Sequence, residues 1–250
     1  MTKTFSFTKT DRRTKQVKTV GALTFHGENN KAHLAFYGDI CGSNWDVWMD
    51  DDRCPQDISD FLRDLSNFAE IDIHINSGGG DVFGGIAIYN LLKRHEGRKT
   101  VYIDGLAASI ASVIALCGDE IIMQSGTQMM IHKPWSWCVG DSDDMLKTAD
   151  ALDKAEACIL DIYMEHAREG VTREQVQALV DAETWLTGAE AAEIFNITAE
   201  AGGAAAACVS DYFANYKNTP EGYLRNEEPE QNTEKEKLQL ELELLSLQLF

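Results

Sequence analysis

The octapeptide Gly105-Leu106-Ala107-Ala108-Ser109-Ile110-Ala111-Ser112 decides how this chain is read. A strand-like apolar run at 100–103 leads into it. A helix of small residues over about 109–116 leads out and stops at Gly118. Ser109 therefore stands where a strand turns into a helix. The first N–H groups of a helix have no partner within it and favour negative charge nearby. A serine that attacks a carbonyl needs such surroundings, because an oxyanion forms beside it. Gly105, Ala107 and Ala108 are small enough to let a substrate backbone approach. The same residues also suit a buried Ala/Ser helix packed on a sheet, so the rest of the chain has to decide.

Outward from this stretch, apolar runs alternate with helical periodicity. Residues 32–40 and 71–75 read as strands, the second broken by Gly78-Gly79-Gly80. A helix over 83–95 follows, with Gly97 as its stop. Further strands at 100–103, 120–124 and 128–132 complete a pattern that indicates a parallel sheet with crossover helices, an α/β fold. Pro55 opens another helix, on which Ile58, Phe61, Leu62, Leu65 and Phe68 keep helical spacing. Residues 142–169 read as one long helix with Met145, Ala149, Leu152, Ile159 and Tyr163 along one face. Two capping boxes, Thr172 with Gln175 and Thr187 with Glu190, mark two short helices.

With 250 residues the chain can bury one sizeable core and still carry appendages. Residues 1–30 are polar and basic around one apolar run, and read as an arm or an added edge strand. Residues 31–212 form the expected catalytic domain. Residues 213–250 read as an acidic, Pro-containing linker and a tail, whose Leu238, Leu242, Leu245 and Leu249 form a helical stripe suited to a partner. The net charge of −19 argues against nucleic acid and anionic membrane surfaces as partners. No run approaches the length of a membrane span, and the first residues lack the apolar core of a secretory signal. Six cysteines without a C-x-x-C pair suit reduced thiols in a cytosol. Asp50-Asp51-Asp52 lacks the spacing and glycine of a calcium loop and reads as a solvated acidic loop. Neither a metal nor a cofactor is expected.

A nucleophilic serine needs a base, and the base an orienting group. Of the six histidines, His26, His33 and His95 occupy polar, exposed-looking positions. His74 lies within the strand at 71–75 and reads as a core residue. His166, near the end of the long helix, reads as a solvated cation. His132 ends the run Met129-Met130-Ile131, so a strand delivers it to the sheet edge, where sites in open α/β folds collect. From that pattern alone it suits a catalytic base and a structural histidine equally. The loop Asn76-Ser77-Gly78-Gly79-Gly80 ends another strand. A backbone N–H from it, together with the N–H after Ser109, would form an oxyanion hole. Phosphate binding fits this loop less well, because it lacks the Lys-Ser/Thr of a P-loop and continues into Asp81.

Together these blocks resemble the ClpP-type serine peptidases. Ile75 to Gly80, Gly105 to Ile110 and Met130-Ile131-His132-Lys133-Pro134 match in order and spacing, and Trp185-Leu186-Thr187-Gly188-Ala189-Glu190-Ala191 continues the pattern. The likeness covers about 32–198. It implies a ClpP/crotonase-like spiral of βαβ units with a projecting handle helix. It also implies Ser109 as nucleophile, His132 as general base, and the N–H groups of Gly80 and Ile110 as the oxyanion hole. Glu183 stands at the third triad position, where the family normally has aspartate, with Asp181 as the alternative acid. Gly78 stands where the family usually has proline. The resemblance further implies a homo-oligomeric ring, stacked through the 142–169 helix.

Ala182-Glu183-Thr184-Trp185 and the tail look like the phage branch, the head maturation proteases. The expectation is therefore an ATP-independent serine endopeptidase that cuts scaffold and capsid proteins in the host cytoplasm, within an assembling procapsid. The alternatives are a housekeeping peptidase working with an unfolding ATPase, a catalytically silent scaffold-binding protein on the same fold, and a crotonase-type enzyme acting on acyl-CoA thioesters.

Overall fold

The computed structural model describes residues 2–10, 17–28, 31–40, 68–202, 208 and 210–223. The helix expected from Pro55, the acidic loop at 42–53 and the leucine stripe of the tail lie outside these residues. The chain divides into two compact units, Met1–Thr219 and Pro220–Phe250, and the sheet and the site both belong to the first.

Among the described residues, the first unit is built on a nine-stranded mixed sheet. Its main path runs β1 (Thr2–Thr10), β2 (Val17–Glu28), β3 (Lys31–Gly38), β4 (Glu70–Ser77), β5 (Arg98–Ala108), β6 (Glu120–Gln124) and β9 (Thr198–Glu200). From β3 to β9 every neighbour is parallel, while β1, β2 and β3 form an antiparallel edge. The described connecting helices are α1 (Val82–Lys93), α2 (Ile110–Ala115), α3 (Ser142–Glu165), α4 (Arg173–Asp181) and α5 (Gly188–Ile194). A mostly parallel sheet with crossover helices is the α/β architecture expected of a ClpP-like fold. Residues 1–30 carry the two edge strands, so the stretch is part of the sheet at 2–10 and 17–28.

Period-two alternation explains the core. Ile71, Ile73 and Ile75 of β4 point to one face and are fully buried. Leu34 and Phe36 from β3, Val101 and Ile103 from β5, Ile88 and Leu92 from α1, and Val113 and Ile114 from α2 close over them. Each such side chain contributes about 1.5–3 kcal/mol on burial. Asp81 starts α1 as its N-cap, its carboxylate accepting from Gly84 N at 2.6 Å, which gives this acidic residue a structural task. Both capping boxes form, at Thr172/Gln175 and Thr187/Glu190.

Two expectations need correction. His74 is not a core residue, because alternation turns it to the face opposite the isoleucines. There it is half-buried, with Nδ1 3.0 Å from Asp104 Oδ2 and its ring stacked on Tyr102. His166 is not a solvated cation. It caps α3, with Nε2 3.2 Å from the Tyr89 hydroxyl and 3.3 Å from Lys93 Nζ. Burial, reinforced by Lys93, pushes its pKa down to about 4. The stripe along α3 is buried only in its second half, at Ile159 and Tyr163, whereas Met145 and Ala149 are exposed. Among the described residues no helix is long and apolar enough to cross a membrane.

Candidate active site

Strand register brings the two chemistry-bearing side chains together. β5 is long enough to pair twice, with β6 through Thr100 to Ile103 and with β7 (Gln128–Ile131) through Leu106 to Ala108. The change of partner coincides with a register shift against β4, where Ile75 faces Ile103 but Ser77 faces Ala107. Ala108 is then opposite Met130, so one residue further Ser109 leaves β5 just as β7 delivers His132. Ser109 N donates to Met130 O at 2.8 Å, and His132 Nε2 lies 2.7 Å from Ser109 Oγ. Ser109 has φ +54°, outside the range a non-glycine residue prefers, and its hydroxyl makes no capping bond to α2. The strained turn thus points Oγ toward the imidazole, with the Tyr216 hydroxyl also close to it.

His132 is buried, and its pKa is pushed down to about 4, mainly by burial. Glu183 nearby opposes that shift and Lys217 adds to it. At neutral pH the imidazole is uncharged and can take a proton.

Gly80 lines the same cavity as Ser109, and Ile110 follows the serine in the chain. Gly79 O and Asp81 N bond to Ile40, so the intervening Gly80 N–H points away from that strand. Gly80 has φ +147°, and a Cβ there would collide with the Ile40 backbone, so only glycine fits. Ile110 is the first residue of α2, and its N–H has no partner within the helix.

The two acids part company. Asp181 is exposed, and its carboxylate pairs with Lys133 Nζ at 2.9 Å and accepts from Gln177. Glu183 is buried at φ +51° in the turn before β8 (Thr184–Thr187), which pairs antiparallel with β7 beside His132. Its oxygens accept Lys217 N at 2.9 Å and Asn218 N at 2.6 Å, while Asn218 Nδ2 donates to Ala182 O and Glu183 O.

Sequence reasoning missed the strap at 210–219. Its 3₁₀ turn, Asp211–Asn215, carries the chain to Tyr216. The Tyr216 ring meets His132 edge-on at 4.9 Å and Trp185 at 6.3 Å, and its hydroxyl donates to Gly78 O at 2.5 Å. Phe213-Ala-Asn-Tyr-Lys217 has no periodicity that would have signalled this. A cavity of about 470 Å³ opens beside the serine, walled by Phe83, Pro134, Trp135, Trp137 and Leu152 with Gly80 at its rim. Among the described residues no three His, Cys, Asp or Glu side chains converge as a metal would require. The arrangement can deprotonate a hydroxyl against a carbonyl lying in an apolar cleft.

The chain is 33% identical over 121 residues to ATP-dependent Clp protease proteolytic subunit 1 of Chlamydia abortus, covering 47% of this chain and 62% of that one. It is 31% identical over 135 residues to the ATP-dependent Clp protease proteolytic subunit of Bacteroides fragilis, covering 53% and 64%. It is 32% identical over 123 residues to the corresponding subunit 1 of Chlamydia trachomatis, covering 48% and 63%. The chain thus spans less than two thirds of the length of each of these relatives. The sequence model of the Clp protease family matches residues 57–195, more than half of the chain. This chain belongs to the Clp protease family.

Proposed function

We propose that the chain is a serine endopeptidase with Ser109 as nucleophile, His132 as general base and Glu183 as the acid behind it. The 2.7 Å contact between His132 Nε2 and Ser109 Oγ, beside an apolar cleft, carries this reading. In the first step Nε2 takes the hydroxyl proton as Oγ bonds to the peptide carbonyl carbon. The oxyanion faces the N–H groups of Gly80 and Ile110. The imidazolium, stabilised by Glu183, returns the proton to the leaving amine as the C–N bond breaks. Water then repeats the sequence on the acyl-enzyme and frees the acid.

We infer further that the chain works as a cytoplasmic homo-oligomeric ring whose substrates are unfolded for it by an ATPase. The relatives named as ATP-dependent proteolytic subunits support that alternative over head maturation. Head maturation rests on Glu183 within Ala182-Glu183-Thr184-Trp185 and on the leucine-rich residues 238–249. A fluorophosphonate tests the chemistry: it is expected to label the wild type at Ser109 and not Ser109→Ala. An unlabelled wild type would leave a silent or crotonase-type protein. Degradation of a folded substrate only with an unfolding ATPase supports the degradative role. Cleavage of co-expressed scaffold and capsid proteins without one supports head maturation.

A further inference from the structure

Tyr216 touches both halves of the site, yet none of the steps above uses it. It is buried, with its ring against His132 and its hydroxyl donating to Gly78 O beside the Ser109 side chain. That bond falls on the Gly78-Gly79-Gly80 loop, which the Ile40 backbone ties at Gly79 O and Asp81 N and Ser77 Oγ ties at Gly79 N, so Tyr216 adds the hold at Gly78. Glycine loses more backbone freedom than any other residue when fixed, and an oxyanion donor works only if its direction is set beforehand. Gly78 is also where the strap closes down. A Cβ on Gly78 would run into the Ser210 side chain, and Ser210 Oγ donates to Asp39 Oδ1. The bare position admits the strap, and the strap brings the restraint.

We propose that Tyr216 is a positioning residue of the serine centre: its hydroxyl holds the Gly78–Gly80 loop so that the Gly80 N–H stays aimed at the oxyanion, and its ring keeps water off His132. The proposal rests on the peptidase reading above. The groups that face His132 are Ser109 from the β5–α2 junction, Glu183 from the turn before β8, and Tyr216 with Lys217 from the strap. Glu183 and Lys217 act on its charge in opposite directions, which leaves burial in control. Without the ring, burial weakens and the imidazole titrates closer to its ordinary range.

Two variants separate the roles. Tyr216→Phe keeps the ring and deletes the hydroxyl. It is expected to lower kcat on an unstructured peptide on the order of tenfold, with KM and the titration of His132 unchanged. Tyr216→Leu removes the ring and is expected to move the acid limb of kcat/KM, and the NMR titration of the His132 imidazole, upward by about one pH unit or more. Should Tyr216→Leu not fold, Tyr216→Met carries the same titration. Fluorophosphonate labelling of wild-type Ser109 checks the peptidase reading separately, and the NMR titration needs no turnover. If the wild type is labelled and Tyr216→Phe turns over at the wild-type rate, the proposal is overturned. It is equally overturned if His132 titrates at its wild-type pH once the ring is gone.

Discussion

At the ends of β5 and β7 a histidine, His132, meets the Ser109 hydroxyl, with the Glu183 carboxylate beyond it. On the open face of the same sheet another histidine, His74, meets Asp104, which also accepts a hydrogen bond from the Tyr37 hydroxyl at 2.6 Å. The residue types are alike and the consequences opposite. His74 is partly exposed and bonded directly to its carboxylate, and that bond raises its pKa against the pull of burial. Burial opposes ionisation of Asp104, but the bonds from His74 and Tyr37 still hold its carboxyl below the usual range. His132 is buried, and Glu183 spends its hydrogen bonds on Lys217 and Asn218 backbone, so burial wins and the imidazole stays neutral. Direct pairing makes an ion pair, whereas burial with a carboxylate at a remove leaves a neutral imidazole that can accept a proton.

The largest test removes the proposed base or its partner. Ser109→Ala and His132→Ala are each expected to lower kcat by roughly 10⁴- to 10⁶-fold, because nucleophile and base act as a unit. Ser112→Ala is the control. Its hydroxyl is buried against Ser109 O and the Tyr163 hydroxyl, so a change there is expected in melting temperature rather than in turnover. If His74→Ala matched His132→Ala with a normal fold, the assignment of the base would fall.

Next in size is the acid. Glu183→Gln is expected to lower kcat by roughly 10²- to 10⁴-fold, less than the loss of the serine. It is also expected to move the acid limb of the pH profile down, since Glu183 is the group holding the His132 pKa up. Asp181→Asn breaks only an exposed contact to Lys133 and is expected to leave turnover near wild type. A strong loss at Asp181 with none at Glu183 would reverse the roles.

How legible these regions were in the sequence follows from how each is held. The α/β fold shows in alternating periodicities because burial is paid for residue by residue along every strand and helix. Ser109 and His132 stood out because each ends an apolar run, but their meeting depends on β5 changing partners, which no local pattern records. The acid was open between Asp181 and Glu183 without the family resemblance, because the turn before β8 has no signature of its own. The strap was invisible because it grips Glu183 with backbone N–H groups, which every residue but proline has. His74 departs from the expectation because the isoleucines of 71–75 fall on alternate positions and leave His74 with Asp72. His166 was misread because the helix C-terminus favours a cation only where water reaches it, and Tyr89 and Lys93 pack there instead.

A smaller effect comes from pH alone. With His132 titrating at about 4, kcat/KM is expected to stay level from neutral pH down to about 5 and to fall tenfold per unit below about 4. Stability moves earlier. The unfolded histidine takes its proton near pH 6.5, so the folded state loses ground as pH drops from there toward 4. His166, also held near 4, adds to the same loss. Peptide turnover in short assays and denaturant midpoints, both run from pH 8 to pH 4, separate the two. An acid limb near 6.5 would mean that His132 is open to water.

The smallest effect belongs to the other pair. Asp104→Asn leaves the His74 ring in place and takes away the charge that raises its pKa. A histidine whose pKa is raised on folding contributes stability below its unfolded value, and the contribution is lost as pH rises through the folded value. The pair is partly exposed, so solvent screens it, and the cost of Asp104→Asn is expected to stay under about 1 kcal/mol. That cost is expected at pH 5.5, where Asp104 is ionised and His74 protonated, and is expected to fade by pH 8.5. Turnover is expected to match wild type at both, since among the described residues nothing on the open face reaches the serine. Denaturant midpoints at the two pH values check the sign. An equal loss at both would mean the bond does not depend on charge, and a loss of turnover would mean the open face is coupled to the serine centre through β5, the strand they share.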